Sequence, residues 1–210
     1  MKNYIIELMK GYPALKPCQD DIRKAADLIC EAVGHSGKIL TCGNGGSAAD
    51  AEHIVGELMK GFLRKRSLGS EEISIFENRY PDIGREIAEN LQKAIPAISL
   101  AGNVCFSTAY ANDVDPELVF AQQIYGLGNP GDVLIALSTS GNSKNVVVAA
   151  MVARIKKIKV IGFTGKDGGD LRQYSDIVIN APSSDTPEIQ EYHLSIYHAL
   201  CAQIEENLFS

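Results

Sequence analysis

Apolar residues along this chain recur in two rhythms. Between residues 17 and 33, Ile22, Ala26, Ile29 and Val33 stand at i, i+4, i+7 and i+11. That is one stripe of a helix, and His35-Ser36-Gly37 ends it. From there the chain alternates between short apolar runs, turns rich in Gly, Ser and Asn, and helical patterns. The runs are Ile39-Leu40 within 38–42, Ala97-Ile98-Ser99-Leu100, Val133-Leu134-Ile135-Ala136-Leu137, Val160-Ile161-Gly162-Phe163 and Ile177-Val178-Ile179. They are short and seldom alternate strictly with polar residues, as strands of a parallel sheet covered on both faces do. Helical patterns over 48–60, 116–125, 143–156 and 187–208 lie between or after them. The pattern predicts repeated βα units and an α/β fold: a doubly wound parallel sheet flanked by helices, one domain over 1–210 with a helical region at 1–37. Ligands of such sheets sit at the carboxyl ends of the strands.

The stretch 63–93 breaks the rhythm. It is charged, with Arg64-Lys65-Arg66 and Glu71-Glu72, and reads as an insertion or elongated connection whose charges face solvent. Its tail, 84–93, is helical, and Ile83, Ile87, Leu91 and Ile95 form an apolar stripe that needs a partner surface, expected on a neighbouring subunit.

Composition narrows the function classes. The 210 residues are 45% apolar and 22% charged, as in ordinary globular proteins. The net charge of −6 gives no support to nucleic-acid or membrane-surface binding, so an anionic substrate must be held locally. The longest apolar stretch, 146–153, stops at Arg154 and is too short to span a membrane. Glu7 and Lys10 interrupt the N-terminus, which does not read as a signal peptide. The cysteines, Cys18, Cys30, Cys42, Cys105 and Cys201, are odd in number and scattered, arguing against a disulfide framework or thiolate metal site and for a cytoplasmic protein.

Two predicted strands run into loops of small residues, Cys42-Gly43-Asn44-Gly45-Gly46-Ser47 and Leu137-Ser138-Thr139-Ser140-Gly141-Asn142-Ser143, and both enter helices. The second carries four hydroxyls beside a helix start, where free N–H groups favour a phosphate monoester. Neither is a Walker A loop or a full dinucleotide fingerprint, which disfavours nucleotide cofactors. Ser47 and Ser143 also read as helix caps, Ser47 in a capping-box-like pair with Asp50. On the following helix His53 and Glu57 share a face at i and i+4, suited to one cation or one substrate, though an ordinary surface pair has the same spacing. On the last helix, at about 100° per residue, Gln190 and His198 converge whereas His193 points away, so His198 is preferred.

Four ordered motifs together are similar to those of the sedoheptulose 7-phosphate isomerases, or phosphoheptose isomerases, of the sugar isomerase (SIS) superfamily. They are Cys42-Gly-Asn-Gly-Gly-Ser-Ala-Ala-Asp-Ala-Glu-His53 followed by Glu57, Leu137-Ser-Thr-Ser-Gly-Asn-Ser143, Thr164-Gly-Lys-Asp-Gly-Gly169, and Ile189-Gln-Glu191 with His198. The resemblance covers most of 38–208 except 63–93, where the family has a shorter link. It implies a flavodoxin-like SIS fold and a homotetramer with active sites between subunits. The implied activity is enediol proton transfer from sedoheptulose 7-phosphate to a D-glycero-D-manno-heptose 7-phosphate, for nucleotide-activated heptose biosynthesis. Glu57 and His198 would be the catalytic pair. Substrate contacts would come from Asn44, Gly45, Gly46, Ser47, Glu57, Asn112, Asp113, Ser138, Thr139, Ser140, Ser143 and Gln190. One Zn²⁺ per subunit would rest on His53, Glu57, Gln190 and His198.

Two positions depart from the family pattern: Lys60-Gly61-Phe62 lacks an arginine, and Glu188 replaces the arginine before Ile-Gln-Glu. Both remove positive charge and bear on which sugar phosphate is taken. Two alternatives stay open at this level, an isomerase of another sugar phosphate and a non-catalytic SIS module that binds a partner protein, similar to the replication-initiator-associating proteins. The latter relatives lack the Glu and the final His, both retained here.

Overall fold

A computed structural model describes residues 2–210. In chain order the elements are α1 (Tyr4–Gly11), α2 (Gln19–Gly34), β1 (Ile39–Cys42), α3 (Gly46–Met59), α4 (Ser70–Arg79), α5 (Gly84–Asn90), β2 (Ala97–Ser99), α6 (Val104–Asp113), α7 (Val119–Leu127), β3 (Val133–Leu137), α8 (Lys144–Ile155), β4 (Lys159–Thr164), α9 (Leu171–Tyr174), β5 (Ile177–Asn180) and α10 (Thr186–Phe209). Short 3₁₀ turns at Pro13–Cys18 and Pro116–Leu118 lead into α2 and α7. All five apolar runs are strands. They form one parallel sheet in the order β2-β1-β3-β4-β5, the flavodoxin-like order whose topological switch lies between β1 and β3.

Both faces of the sheet are buried, and strand periodicity divides the core in two. Ile39, Val133, Ile135, Leu137, Ile161, Phe163 and Ile179 face one layer, packed with Ile22 and Ile29 of α2, Ile54 and Leu58 of α3, and Ile196 and Leu200 of α10. Leu40, Leu134, Ala136 and Val160 face the other, against Phe120 and Ile124 of α7 and Val146 and Ala150 of α8. Burial on both sides is why the strands read as unbroken apolar runs. No helix among the described residues is long and apolar enough to cross a membrane.

The 63–93 stretch is a helical hairpin of α4 and α5 on a narrow neck. Ser67 bridges Gln92, the Lys93 N–H donates to the Arg66 carbonyl at 2.7 Å, and the Gly61 N–H donates to Gln92 Oε1 at 2.7 Å. Ile83, Ile87 and Leu91 are exposed, whereas Ile95 is buried. One expectation is corrected here: the charges of 64–66 do not all face solvent. Arg66 is buried because Glu205 of α10 accepts from its Nε at 2.7 Å and the Leu58 carbonyl from its Nη1 at 2.7 Å. Arg64 pairs with Glu206. These partners lie far along the chain, where local composition carries no sign of them.

Candidate active site

The loops after β1 and β3 leave neighbouring strand ends on either side of the switch point. Gly45 adopts φ +55°, a left-handed conformation that favours glycine, and turns the first loop into α3. Gly46 opens the helix against α10: a Cβ there would lie 2.5 Å from Gln190 Nε2. Bare backbone at this point lets Gln190 reach the first loop. Asn44 Nδ2 donates to Asn145 Oδ1 at 2.8 Å and Asn145 Nδ2 returns a bond to Asn44 Oδ1 at 2.9 Å. That reciprocal amide pair ties the first loop to the start of α8 across the switch point.

The capping expectations are corrected. Gly45, not Ser47, is the N-cap of α3, and no side chain caps that helix. Ser47 is buried in the first turn, and Asp50 is turned away to accept from the Tyr197 hydroxyl at 3.2 Å. Ser143 stands at the N-cap of α8 without a side-chain cap bond. Its Oγ instead accepts from Ser138 Oγ at 3.0 Å, while Ser140 Oγ receives the Asn142 N–H at 3.1 Å. The hydroxyls thus organise their own loop ahead of the helix N-terminus. Beside it lies a cleft of about 260 Å³ lined by Thr139, Ser140, Asn142, Lys166, Ser183 and Thr186. Glu188 supports the wall of that cleft, accepting from Ser183 Oγ at 2.5 Å and from the Tyr192 hydroxyl at 3.1 Å.

Where α3 packs on α10, His53 Nε2 faces Glu57 Oε1 at 3.2 Å, and Lys60 Nζ donates to Glu57 Oε2 at 3.2 Å. The Glu57 side chain is 12% exposed, covered but reachable. The His198 ring lies edge-on to His53 with centroids 5.0 Å apart, and the Phe62 ring lies 5.7 Å from it. Burial lowers the His198 pKa, helped by neighbouring His53 and opposed by Glu57. His193 is different: it is fully buried, its Nε2 donates to the Thr164 carbonyl at 3.1 Å, and burial lowers its pKa to about 4. His53, Glu57 and His198 are therefore together, Gln190 sits at the first loop, and His193 is a core group. Asn112 and Asp113 end α6, exposed, with Asn112 Nδ2 donating to Asp113 Oδ1 at 2.9 Å. No described hydrogen bond brings them to the cluster within one chain.

Tyr197 is the residue that sequence reasoning passed over. On an apolar helix it reads as packing, yet its hydroxyl lies 2.9 Å from His53 Nδ1. A buried tyrosine needs a partner for its hydroxyl, and that is the signal that could have found it. Asn145 and Phe62 carry no comparable local signal.

The donors of His53, Glu57, Gln190 and His198 are nitrogen and oxygen, a set suited to zinc. The 3.2 Å between His53 Nε2 and Glu57 Oε1 is close to the roughly 3.3 Å separating two ligands of a tetrahedral ion with bonds of about 2.0–2.1 Å. Among the described residues no group of three or more His, Cys, Asp or Glu could hold a metal ion. The pair fits an ion, and the full set does not close around one in this conformation.

The SIS domain family matches residues 12–93 and 86–165. A phosphoheptose isomerase of a Nitratiruptor species is 43% identical over 205 residues, covering 96% of each chain. The chain belongs to the phosphoheptose isomerases of the SIS family. Another phosphoheptose isomerase, from Burkholderia pseudomallei, is 38% identical over 188 residues, 90% of this chain and 82% of that one. Among solved structures, phosphoheptose isomerase GmhA from Neisseria gonorrhoeae superposes with a TM-score of 0.75 at 32% identity, covering 96% of this chain and 93% of the other. Membership in this SIS family accounts for the sheet order and for the two loops at the switch point.

Proposed function

We propose that the chain is an aldose–ketose isomerase converting sedoheptulose 7-phosphate to a D-glycero-D-manno-heptose 7-phosphate, with Glu57 and His198 as its acid–base pair. The observation that carries this reading is the covered Glu57 side chain beside His198 where α3 packs on α10, in a chain whose relatives are phosphoheptose isomerases. In the ketose, Glu57 takes a proton from carbon 1, and that C–H electron pair becomes the double bond of an enediol. The carbonyl oxygen at carbon 2 takes up a proton, served by His198. Glu57 then returns its proton to carbon 2 while the hydroxyl at carbon 1 gives its own proton back to His198 and becomes the aldehyde. A positioned acid or base contributes on the order of 10²–10⁴-fold to such a step. The phosphate would rest on Ser138, Thr139, Ser140 and Ser143, with Asn44, Gly45, Gly46, Ser47 and Gln190 around the sugar chain. The partner-binding alternative is not favoured, since both proton-transfer groups are present and the relatives carry the isomerase name.

The zinc reading is supported by the His53–Glu57 spacing; when bound, an ion there would polarise the substrate carbonyl as a Lewis acid. A homotetramer with sites between subunits is supported by the exposed Ile83, Ile87 and Leu91 of the hairpin, and by an apolar cleft of about 200 Å³ between Phe62, Leu63, Tyr4 and His198. Asn112 and Asp113 would then serve a site from another part of the assembly. Five free cysteines fit a cytoplasmic setting, and burial pushes the Cys42 and Cys201 thiols up to about 12. Incubating the protein with a panel of ketose phosphates and reading aldose formation by NMR tests the activity; no aldose from sedoheptulose 7-phosphate would refute it. Elemental analysis of protein purified without chelator or nickel should find about one zinc per chain.

A further inference from the structure

We infer that Asp50 and Tyr197 form a positioning relay that holds His53 as the Nδ1–H tautomer, so that a bare Nε2 faces Glu57. The inference rests on the proposed isomerase reading for its kinetic consequence, but its structural content stands on hydrogen-bond accounting. The Tyr197 hydroxyl lies 3.2 Å from Asp50 Oδ1 and 2.9 Å from His53 Nδ1, and it has one proton to give. The ring is almost wholly buried, so bulk water does not substitute for either partner.

For an ionised Asp50, whose pKa burial raises against the opposing pull of the Tyr197 hydroxyl, two arrangements are possible. If Tyr197 donated to His53, its oxygen would face an ionised Asp50 with no proton between them, and Asp50 Oδ2 is already buried without a partner among the described residues. That leaves the carboxylate unsatisfied on both oxygens, a costly state for a half-buried charge. If Tyr197 donates to Asp50, its oxygen is free to accept the His53 Nδ1–H, and both bonds are made. The second arrangement uses every proton once. Its consequence is at the other end of the ring, where Nε2 presents a lone pair 3.2 Å from Glu57 Oε1. Two acceptors at that spacing leave room for one proton or cation, which is what a proton-transferring carboxylate or a metal ligand pair requires. Carboxylate support of a histidine's far nitrogen is a recurrent device for setting ring orientation and basicity, and here a tyrosine extends it by one step.

Four histidines make the test tractable. Long-range ¹H–¹⁵N spectra of the full chain after chelator treatment, so that no ion fixes Nε2, with His53 assigned by the signal lost in His53→Gln, should show a protonated Nδ1 and an unprotonated Nε2. Tyr197→Phe keeps the ring and removes the hydroxyl. It should shift His53 toward Nε2–H and lower kcat by about 10–100-fold with KM little changed, the usual effect of losing such a partner. Asp50→Ala should match it, Asp50→Asn, which keeps an acceptor, should recover part of the loss, and the double variant should be no worse than Tyr197→Phe. An Nε2–H tautomer in the wild type, or an unchanged His53 spectrum in Tyr197→Phe, would overturn the relay. If sedoheptulose 7-phosphate is not turned over at all, the function fails, and the tautomer measurement still decides the relay.

Discussion

Replacing Glu205 with alanine takes one acceptor away from four donors. Its carboxylate receives the N–H groups of Phe62, Leu63 and Arg64 at 2.8, 2.8 and 3.1 Å and Arg66 Nε at 2.7 Å. Leu63 and Arg64 are exposed, so their amides regain water at little cost. Arg66 does not: its side chain is 0% exposed and that of Glu205 1%, leaving the guanidinium with the Leu58 and Glu57 carbonyls. Stranding a buried charge in this way costs about 3–5 kcal/mol, a large share of the roughly 5–15 kcal/mol that holds a domain together. At about 2–4 °C per kcal/mol for a chain of this size, the melting temperature should fall by about 6–20 °C. Urea unfolding followed by circular dichroism measures the loss directly. Glu205→Leu combined with Arg66→Met removes both charges and should recover most of it, because apolar replacement of a buried pair is often neutral. A loss below about 1 kcal/mol for Glu205→Ala, the range of a solvated pair, would show that water reaches Arg66 and would refute the reasoning.

The same carboxylate makes stability depend on acid. Burial pushes the Glu205 pKa up, but the amides of Phe62 and Leu63 and the Arg66 guanidinium outweigh it and hold it below the ordinary value of 4.5. Its contribution is therefore complete above the unfolded pKa and lost as pH falls through the lower folded value; the stability gap between wild type and Glu205→Gln should shrink below that ordinary value and stay constant from pH 6 to 8. Replacing Ser140 and Ser143 together with alanine should chiefly raise KM, since each hydrogen bond to a charged group is worth about 1.5–3 kcal/mol; an unchanged KM, or phosphate located crystallographically at another strand end, would contradict the assignment. If the exposed hairpin face joins subunits as proposed, changing Ile83, Ile87 and Leu91 to lysine should reduce the mass in light scattering while leaving circular dichroism intact, and an unaltered mass would contradict that role.

The sheet was readable because its faces are both covered: β1, β3, β4 and β5 announce themselves as apolar runs, and α3 and α10 as stripes between them. Helices α4 and α6 were not, since neither buries a residue fully within one chain, and periodicity appears only where one face is buried. Helix α9, with four residues, is too short to carry a period. The choice of His198 over His193 followed from angular spacing on α10, and the structure places the His193 ring against Phe163 in the core. Long-range partners were invisible. Arg66 and Glu205 are separated by 139 residues and Asp50 and Tyr197 by 147, so a charge run read as solvated and an aspartate read as a cap both belong to pairs that only the packing of α10 creates.

The rate of aldose formation from sedoheptulose 7-phosphate in Glu57→Gln and His198→Asn, followed by ¹H NMR beside the wild type, tests the acid–base pair most directly. Glu57→Gln keeps the size of the side chain and His198→Asn keeps a polar group on a shorter one, and circular dichroism checks that both folds are intact. The wild type should convert the ketose, and each variant should lose at least about 10²-fold in kcat, the effect of removing a positioned acid or base. Near-normal turnover in both variants would contradict the assignment of Glu57 and His198.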